Sequence, residues 1–136
     1  MDTNGAKELA RRYYEEVLNN RQDHLLEGLF SEEFVIHPPD GSSLPLGAFK
    51  ASLQRIRAVF RDYRVTVEDQ VAESDRVATR WTASGRHEGA FLGIAPTGRE
   101  VTVSGIHIDR FAEGKIVERW EQIDMAGLLQ QLRAAD

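Results

Sequence analysis

The chain of 136 residues is 41% hydrophobic and 29% charged, the composition of a single soluble domain large enough to bury its own core. It has 22 acidic and 17 basic residues, and the resulting net charge of −5 argues against a nucleic-acid partner, because phosphates favour a basic surface. There is no cysteine, which excludes disulfides and thiolate metal sites. The polar N-terminus and the lack of a segment of about 20 apolar residues predict a cytoplasmic protein without a membrane partner.

The first half of the chain has the apolar spacing of helices. Apolar residues recur every three or four positions over residues 6–18, which predicts a first amphipathic helix. A short second helix is predicted over 25–30 and a third over 46–60. A brief strand at 34–38, followed by a loop rich in Pro, Gly and Ser, separates the second helix from the third.

After Asp62 the apolar period changes from 3.6 to 2, and four strand patterns follow. The strands are predicted over residues 63–68, 77–89, 101–111 and 115–124. A short amphipathic helix closes the chain. Helices followed by hairpin-linked strands predict an α+β fold, a single domain over residues 1–136 with the N-terminal helices packed in a strongly curved antiparallel β-sheet.

The register of the last hairpin decides which side chains face the interior. With Glu113 and Gly114 as a two-residue turn, His107 opposes Trp120, and directly opposed residues share a face. The predicted inward face carries His107, Glu118, Trp120, Gln122 and Asp124. The other face mixes Ile and Val with Arg and Glu, which predicts a homodimer through the outer face of the sheet.

An inward face that mixes aromatic and ionisable groups is typical of a small-molecule pocket. In an apolar cavity, the carboxylate of Asp124 is expected to have a raised pKa and to move protons near neutral pH. His107 can orient that carboxylate or polarise a carbonyl, and Trp120 can stack on a flat ligand. Two structural alternatives stay open: Asp124 can cap the last helix, and His107 can be a core histidine.

The second half of the chain carries several motifs close together. They are G-x-H-x-G from Gly85, F-x-G-x-x-P-T-G from Phe91, G-x-H from Gly105, and R-F-x-x-G-K-I-x-E-x-W from Arg110, followed by an Asp and L-L-x-Q-L. With the helix-then-sheet order, these motifs resemble the SnoaL-like polyketide cyclases of the NTF2-like superfamily over nearly the whole chain. The resemblance implies a cone-shaped fold and an intramolecular aldol condensation that needs no metal or organic cofactor.

By position, the resemblance gives the catalytic acid/base to Asp124 and the assisting histidine to His107. Glu121 is a rival for the first role, but simple alternation points it to the other face. The substrate is expected to be a small hydrophobic, carbonyl-bearing molecule. The predicted substrate contacts are Trp120, Glu118, Gln122, Tyr13, Phe34, His37, Leu53, Leu92 and Ile94.

Other functions remain open at this point, because one fold carries many activities. The chain can be a non-catalytic ligand-binding or dimerisation module, or an isomerase or hydroxylation-related relative with the same cavity. An epoxide hydrolase-like reaction would use Arg80 with Asp109 or Asp124. No metal site is predicted, because the histidines at positions 37, 87 and 107 lack the spacing of metal ligands.

Overall fold

A computed structural model describes residues 1–134 of the chain. The elements in chain order are α1 (Thr3–Arg12), a π-helical segment (Tyr13–Asn19), a 3-10 turn (Asp23–Leu25), α2 (Leu26–Leu29), β1 (Phe30–His37), β2 (Leu44–Pro45), α3 (Leu46–Val59), β3 (Phe60–Glu73), β4 (Arg76–His87), β5 (Glu100–Ala112), β6 (Lys115–Ile123) and α4 (Met125–Arg133). This order confirms the predicted α+β class. No helix within residues 1–134 is both long enough and apolar enough to cross a membrane.

The six strands form one curved sheet in the order β2-β1-β6-β5-β4-β3. Neighbouring strands are antiparallel except β1 and β6, which run parallel, so the sheet is not the purely antiparallel one predicted. The parallel pair arises because the first long strand lies beside the last, and the intervening chain provides the long crossover that parallel neighbours require. β1 and β3 also begin earlier than predicted, at Phe30 and Phe60.

The main core lies between the helices and the concave face of the sheet. Three of its aromatic rings, from Phe30, Phe34 and Phe49, pack with centroids 4.8–5.4 Å apart. A second, smaller core cluster packs α4 against the sheet, and its buried members are Phe60, Val101, Leu128 and Leu132. The helices therefore fill the cone from one side, and α4 covers a separate part of the same sheet.

The π-helical segment that continues α1 puts two neighbouring tyrosines into the interior. Tyr13 and Tyr14 are only 2% and 1% exposed, respectively, although they are adjacent in sequence. At its C-terminal end, the Asn19 side chain donates a hydrogen bond to Val65 O at 2.7 Å and accepts one from Val65 N at 2.8 Å. These two bonds attach the segment to the backbone of β3 and so fix the tyrosines against the sheet.

The hairpin of β5 and β6 contains a β-bulge, which a regular two-residue hairpin lacks. Phe111 pairs with Ile116, as expected, but Arg110 pairs with Glu118, which leaves Val117 as the extra residue on β6. A bulge of one residue moves every following side chain to the opposite face. The predicted register is therefore wrong by one residue from Glu118 to the end of the strand.

Candidate active site

A cavity of about 290 Å³ lies between the π-helical segment, α3 and the concave face of the sheet. Most of its lining is apolar or aromatic, and it includes Leu53 and Trp81. Its polar lining residues are Tyr13, Tyr14, Asp40, Ser42, Ser52, Tyr63, His107 and Glu121, and three of them, Tyr14, His107 and Glu121, are joined by hydrogen bonds. An apolar cavity with a few placed polar groups is the usual form of a site for a small organic molecule.

The three polar side chains form one hydrogen-bonded chain. The Tyr14 hydroxyl lies 2.6 Å from Nδ1 of His107, and Nε2 of His107 lies 2.8 Å from Oε2 of Glu121. His107 and Glu121 are directly opposed on β5 and β6. A neutral imidazole with its proton on Nε2 satisfies both contacts, because it accepts from the phenol and donates to the carboxylate.

The surroundings favour that protonation state. Burial lowers the pKa of His107, and the positive charge of Arg119 lowers it further, against the opposing influence of Glu121. Burial alone would raise the pKa of Glu121, but the hydrogen bond and charge of His107, with the charge of Arg119, outweigh burial and lower it. Burial also raises the pKa of Tyr14 well above its usual value. At neutral pH the site therefore holds a carboxylate, a neutral imidazole and a neutral phenol.

A buried ion pair lies on the same inward face, two positions along the hairpin. Arg119 Nε donates to Asp109 Oδ1 at 2.6 Å, Arg119 Nη2 donates to Asp109 Oδ2 at 3.0 Å, and both side chains are fully buried. The guanidinium carbon of Arg119 lies 4.3 Å from the centre of the Tyr13 ring. The pair is directly opposed in register, so the bulge that brings Glu121 inward also brings Arg119 inward.

Trp81 of β4 forms the wall beside the histidine. Its ring centroid lies 5.2 Å from that of His107. Gly105, its register partner on β5, permits this position, because a Cβ there would collide with the indole ring. The indole N–H is buried and has no hydrogen-bond acceptor among residues 1–134.

Three predicted site residues do line the cavity, namely Tyr13, Leu53 and His107. Three others do not. Phe34 belongs to the aromatic core, Leu92 is 61% exposed, and Ile94 forms a bridge with Phe91 in the loop after β4. The structure does not place these three predicted substrate contacts on the cavity.

The outer face of the sheet receives four further residues that were predicted for the pocket. The bulge turns Glu118, Trp120 and Gln122 outward, and Trp120 opposes the exposed Ile108. His37 lies with them, because its ring stacks on Trp120 at 5.5 Å and its Nε2 lies 2.7 Å from Glu118 Oε2. Their predicted inward placement is therefore wrong.

Asp124 lies at the start of α4 and is exposed. Its Oδ1 accepts a hydrogen bond from Gly127 N at 3.0 Å, so it caps the helix, which confirms the capping alternative. It shares the outer side of the sheet with Gln122 and Arg80 rather than the interior with His107. The structure does not bring Asp124 and His107 together, and Glu121 occupies the position beside His107 instead.

The histidines at positions 37, 87 and 107 each have a separate hydrogen-bond partner. His87 contacts Thr97, His37 contacts Glu118, and His107 contacts Glu121. Across residues 1–134 no group of three or more His, Asp or Glu side chains is placed to hold a metal ion.

Comparison with known proteins gives one family. The family model described as SnoaL-like polyketide cyclase matches residues 8–132. Aklanonic acid methyl ester cyclase AcmA from Streptomyces galilaeus is 39% identical over 59 residues, which are 43% of this chain and 41% of that protein. The match thus spans about two fifths of the length of that curated relative.

Two solved structures have the same fold over nearly the whole chain. IdmH from Streptomyces antibioticus, provisionally described as a polyketide cyclase, is 31% identical with a TM-score of 0.85, covering 93% of this chain and 97% of its own. AclR from Streptomyces galilaeus, provisionally described as a hydroxylase, is 27% identical with a TM-score of 0.87, covering 96% of this chain and 82% of its own. The shared fold therefore accompanies two different descriptions of activity.

Proposed function

Because this chain belongs to the SnoaL-like polyketide cyclase family, we propose that it is a cyclase that performs acid–base chemistry on a hydrophobic, carbonyl-bearing molecule. The observation that carries this function is the hydrogen-bonded chain of Tyr14, His107 and Glu121 in a mostly apolar cavity. Fold alone does not choose the reaction, whereas a desolvated carboxylate held by a neutral histidine is suited to proton transfer.

Glu121 is the proposed base. Its Oε2 is held by His107, and its Oε1 makes no hydrogen bond within residues 1–134, so one carboxylate oxygen is free to reach a substrate. Oε1 takes a proton from the carbon next to a carbonyl, and the C–H electrons form the enolate. The enolate carbon attacks a second carbonyl of the same molecule, whose π electrons become an alkoxide. The protonated carboxyl then returns the proton to that alkoxide.

The other polar groups hold and complement this base. His107 orients the carboxylate, and the Tyr14 hydroxyl fixes the tautomer of His107 by donating to Nδ1. The proposed donor to the developing oxyanion is the indole N–H of Trp81, which lacks an acceptor but is buried, so the indole has to turn toward the substrate when it binds. The cavity contributes by holding the flexible substrate folded for attack.

The proposed function is tested by exchange of carbon-bound hydrogen in D2O, with an aryl β-keto ester as the probe. We expect kcat/KM for exchange to rise with pH as Glu121 ionises and His107 loses its proton. Since both pKa values lie below their usual 4.5 and 6.5, the midpoint of the rise lies on the acid side of the usual histidine value and a plateau follows. Absence of catalysed exchange, or activity confined to alkaline pH, contradicts a carboxylate base.

The outer face of the sheet supports a homodimer as part of this proposal. Register pairs place Val71, Ala78, Ile108 and Trp120 in one row across four strands, and Val71 and Ile108 are 63% and 39% exposed. A continuous apolar row flanked by charges of both signs can bury itself against a second copy of the same surface.

Sedimentation velocity tests the dimer. The wild-type chain is expected at twice 15.3 kDa, and Ile108→Glu at the monomer mass, because the substitution puts two unpaired charges at the centre of the interface. Leu92→Glu is the control, since Leu92 is also an exposed apolar residue but lies in a loop away from this face. A monomeric wild type, or a dimeric Ile108→Glu, contradicts the assignment of this face.

A further inference from the structure

A second chamber of about 160 Å³ lies beside the cavity that contains Glu121. Four residues line both spaces, namely Ile56, Tyr63, Trp81 and Ile123. The two spaces therefore adjoin along these four side chains, and the hydrogen-bonded chain lines only the first of them. None of the reaction steps described above uses the second chamber.

The lining of the second chamber is almost entirely apolar. Phe91, Val101 and Leu128 are typical members, and Ser84 is the one residue of the lining with an aliphatic hydroxyl. An engineered apolar cavity of about 150 Å³ in another protein stays dry and binds benzene. The chamber thus has the size and the chemistry to take one six-membered ring.

Helix α4 forms one wall of the chamber and is fixed to the sheet by side-chain hydrogen bonds. Met125 and Leu128 of α4 contribute to its lining, and α4 is fastened to β5 by the side chain of Gln131. The amide of Gln131 donates to Thr102 O at 2.7 Å and accepts from Thr102 N at 2.9 Å, as a neighbouring strand would. The Asp124 cap holds the other end of the helix.

We propose that the second chamber is a subsite for the apolar end of the substrate, and that it selects elongated, conjugated carbonyl compounds whose distal ring is unsubstituted or carries only alkyl groups. The orientation rests on the proposed function, which puts the reacting carbonyl at Glu121. A distal ring with free hydroxyl or charged groups is rejected, because those groups would lose water and find almost no partner in the chamber.

The experiment uses two neutral ketones and the two methionines of the chain. Acetophenone has one ring, and 2-acetylnaphthalene has a second ring that can extend beyond the cavity. With 13C-labelled methionine methyl groups, Met125 reports the chamber, and Met1, which is 67% exposed, is the internal control. We expect the naphthyl ketone to bind about tenfold more tightly and to shift Met125 but not Met1.

Filling the chamber gives the decisive comparison. Ala83 is buried and lines only the second chamber, so Ala83→Leu is expected to abolish the tenfold preference and leave the affinity for acetophenone unchanged. Ala51→Leu on the exposed side of α3 is the matched control. If Ala83→Leu fails to fold, Leu128→Phe fills the same space from α4.

An unperturbed Met125, or a preference retained in the folded filling variant, overturns the subsite. These outcomes are independent of the reaction, since they are read from binding alone. A chamber that binds the second ring in a protein without exchange activity would uphold the subsite and overturn the proposed function. Exchange activity without any effect at Met125 would uphold the proposed function and overturn the subsite.

Discussion

Replacing Glu121 with glutamine is expected to lower the rate of catalysed hydrogen exchange by about 10²–10⁴-fold, the usual contribution of a positioned general base. The amide keeps the size of the side chain and can still accept from His107 through its oxygen. It has no basic oxygen to take the proton. Binding of a ketone probe should change little, so the loss appears in kcat rather than in KM.

Asp124→Asn is the matched control, because it makes the same chemical change three residues further along. Asparagine is as good an N-cap as aspartate, so α4 and the fold should be retained. We expect Asp124→Asn to exchange hydrogen at the wild-type rate. The reverse result, with Asp124→Asn inactive and Glu121→Gln active, would show that Asp124 is the catalytic base, as the family resemblance implied.

The fold could be predicted because its signals are local and repeated. The 3.6-residue spacing of the N-terminal half and the alternation after Asp62 each extend over many residues, so one exception does not alter the assignment. The assignment of particular side chains to the inward face rests on no repeated signal of this kind. It depends on a single register, and the one unpaired residue Val117 reverses it for the rest of β6.

A signal for the correct register was present in the charges. The simple register sets Asp109 opposite Glu118, which is unfavourable because like charges repel across a ladder. The bulged register instead opposes Asp109 to Arg119 and Arg110 to Glu118. Testing each possible register for opposed charges would have turned Glu121 inward beside His107. The charge pattern therefore contained information that alternation of hydrophobic residues did not.

The role of Tyr14 could not be predicted in the same way. A regular helix has 3.6 residues per turn, so a stripe that contains Tyr13 directs its neighbour about 100° away, toward the rim. The π-helical segment has a wider turn and brings both tyrosines to the core. Trp81 was likewise missed, because its position beside His107 depends on the lack of a side chain at Gly105 across the sheet.

The buried pair of Asp109 and Arg119 gives the largest expected effect on stability. Asp109→Ala leaves a fully buried guanidinium without its carboxylate, and such a loss costs about 3–5 kcal/mol of the free energy of unfolding. Urea denaturation measures this loss. The double variant Asp109→Leu, Arg119→Met removes both charges and keeps apolar volume, so we expect it to recover most of the stability, as replacement of a buried pair often does.

The recovered double variant then separates stability from the electrostatics of the site. The charge of Arg119 lowers the pKa of both His107 and Glu121, whereas the charge of Asp109 raises that of His107 by a smaller amount, so removal of the pair should raise both pKa values. Protons would bind to the dyad at higher pH, and the acid limb of the exchange profile should move upward while the plateau rate is retained. A stable double variant with an unmoved acid limb would mean that Arg119 is only a structural partner of Asp109. A shifted limb would make it a positioning residue that keeps the base ionised and the histidine neutral.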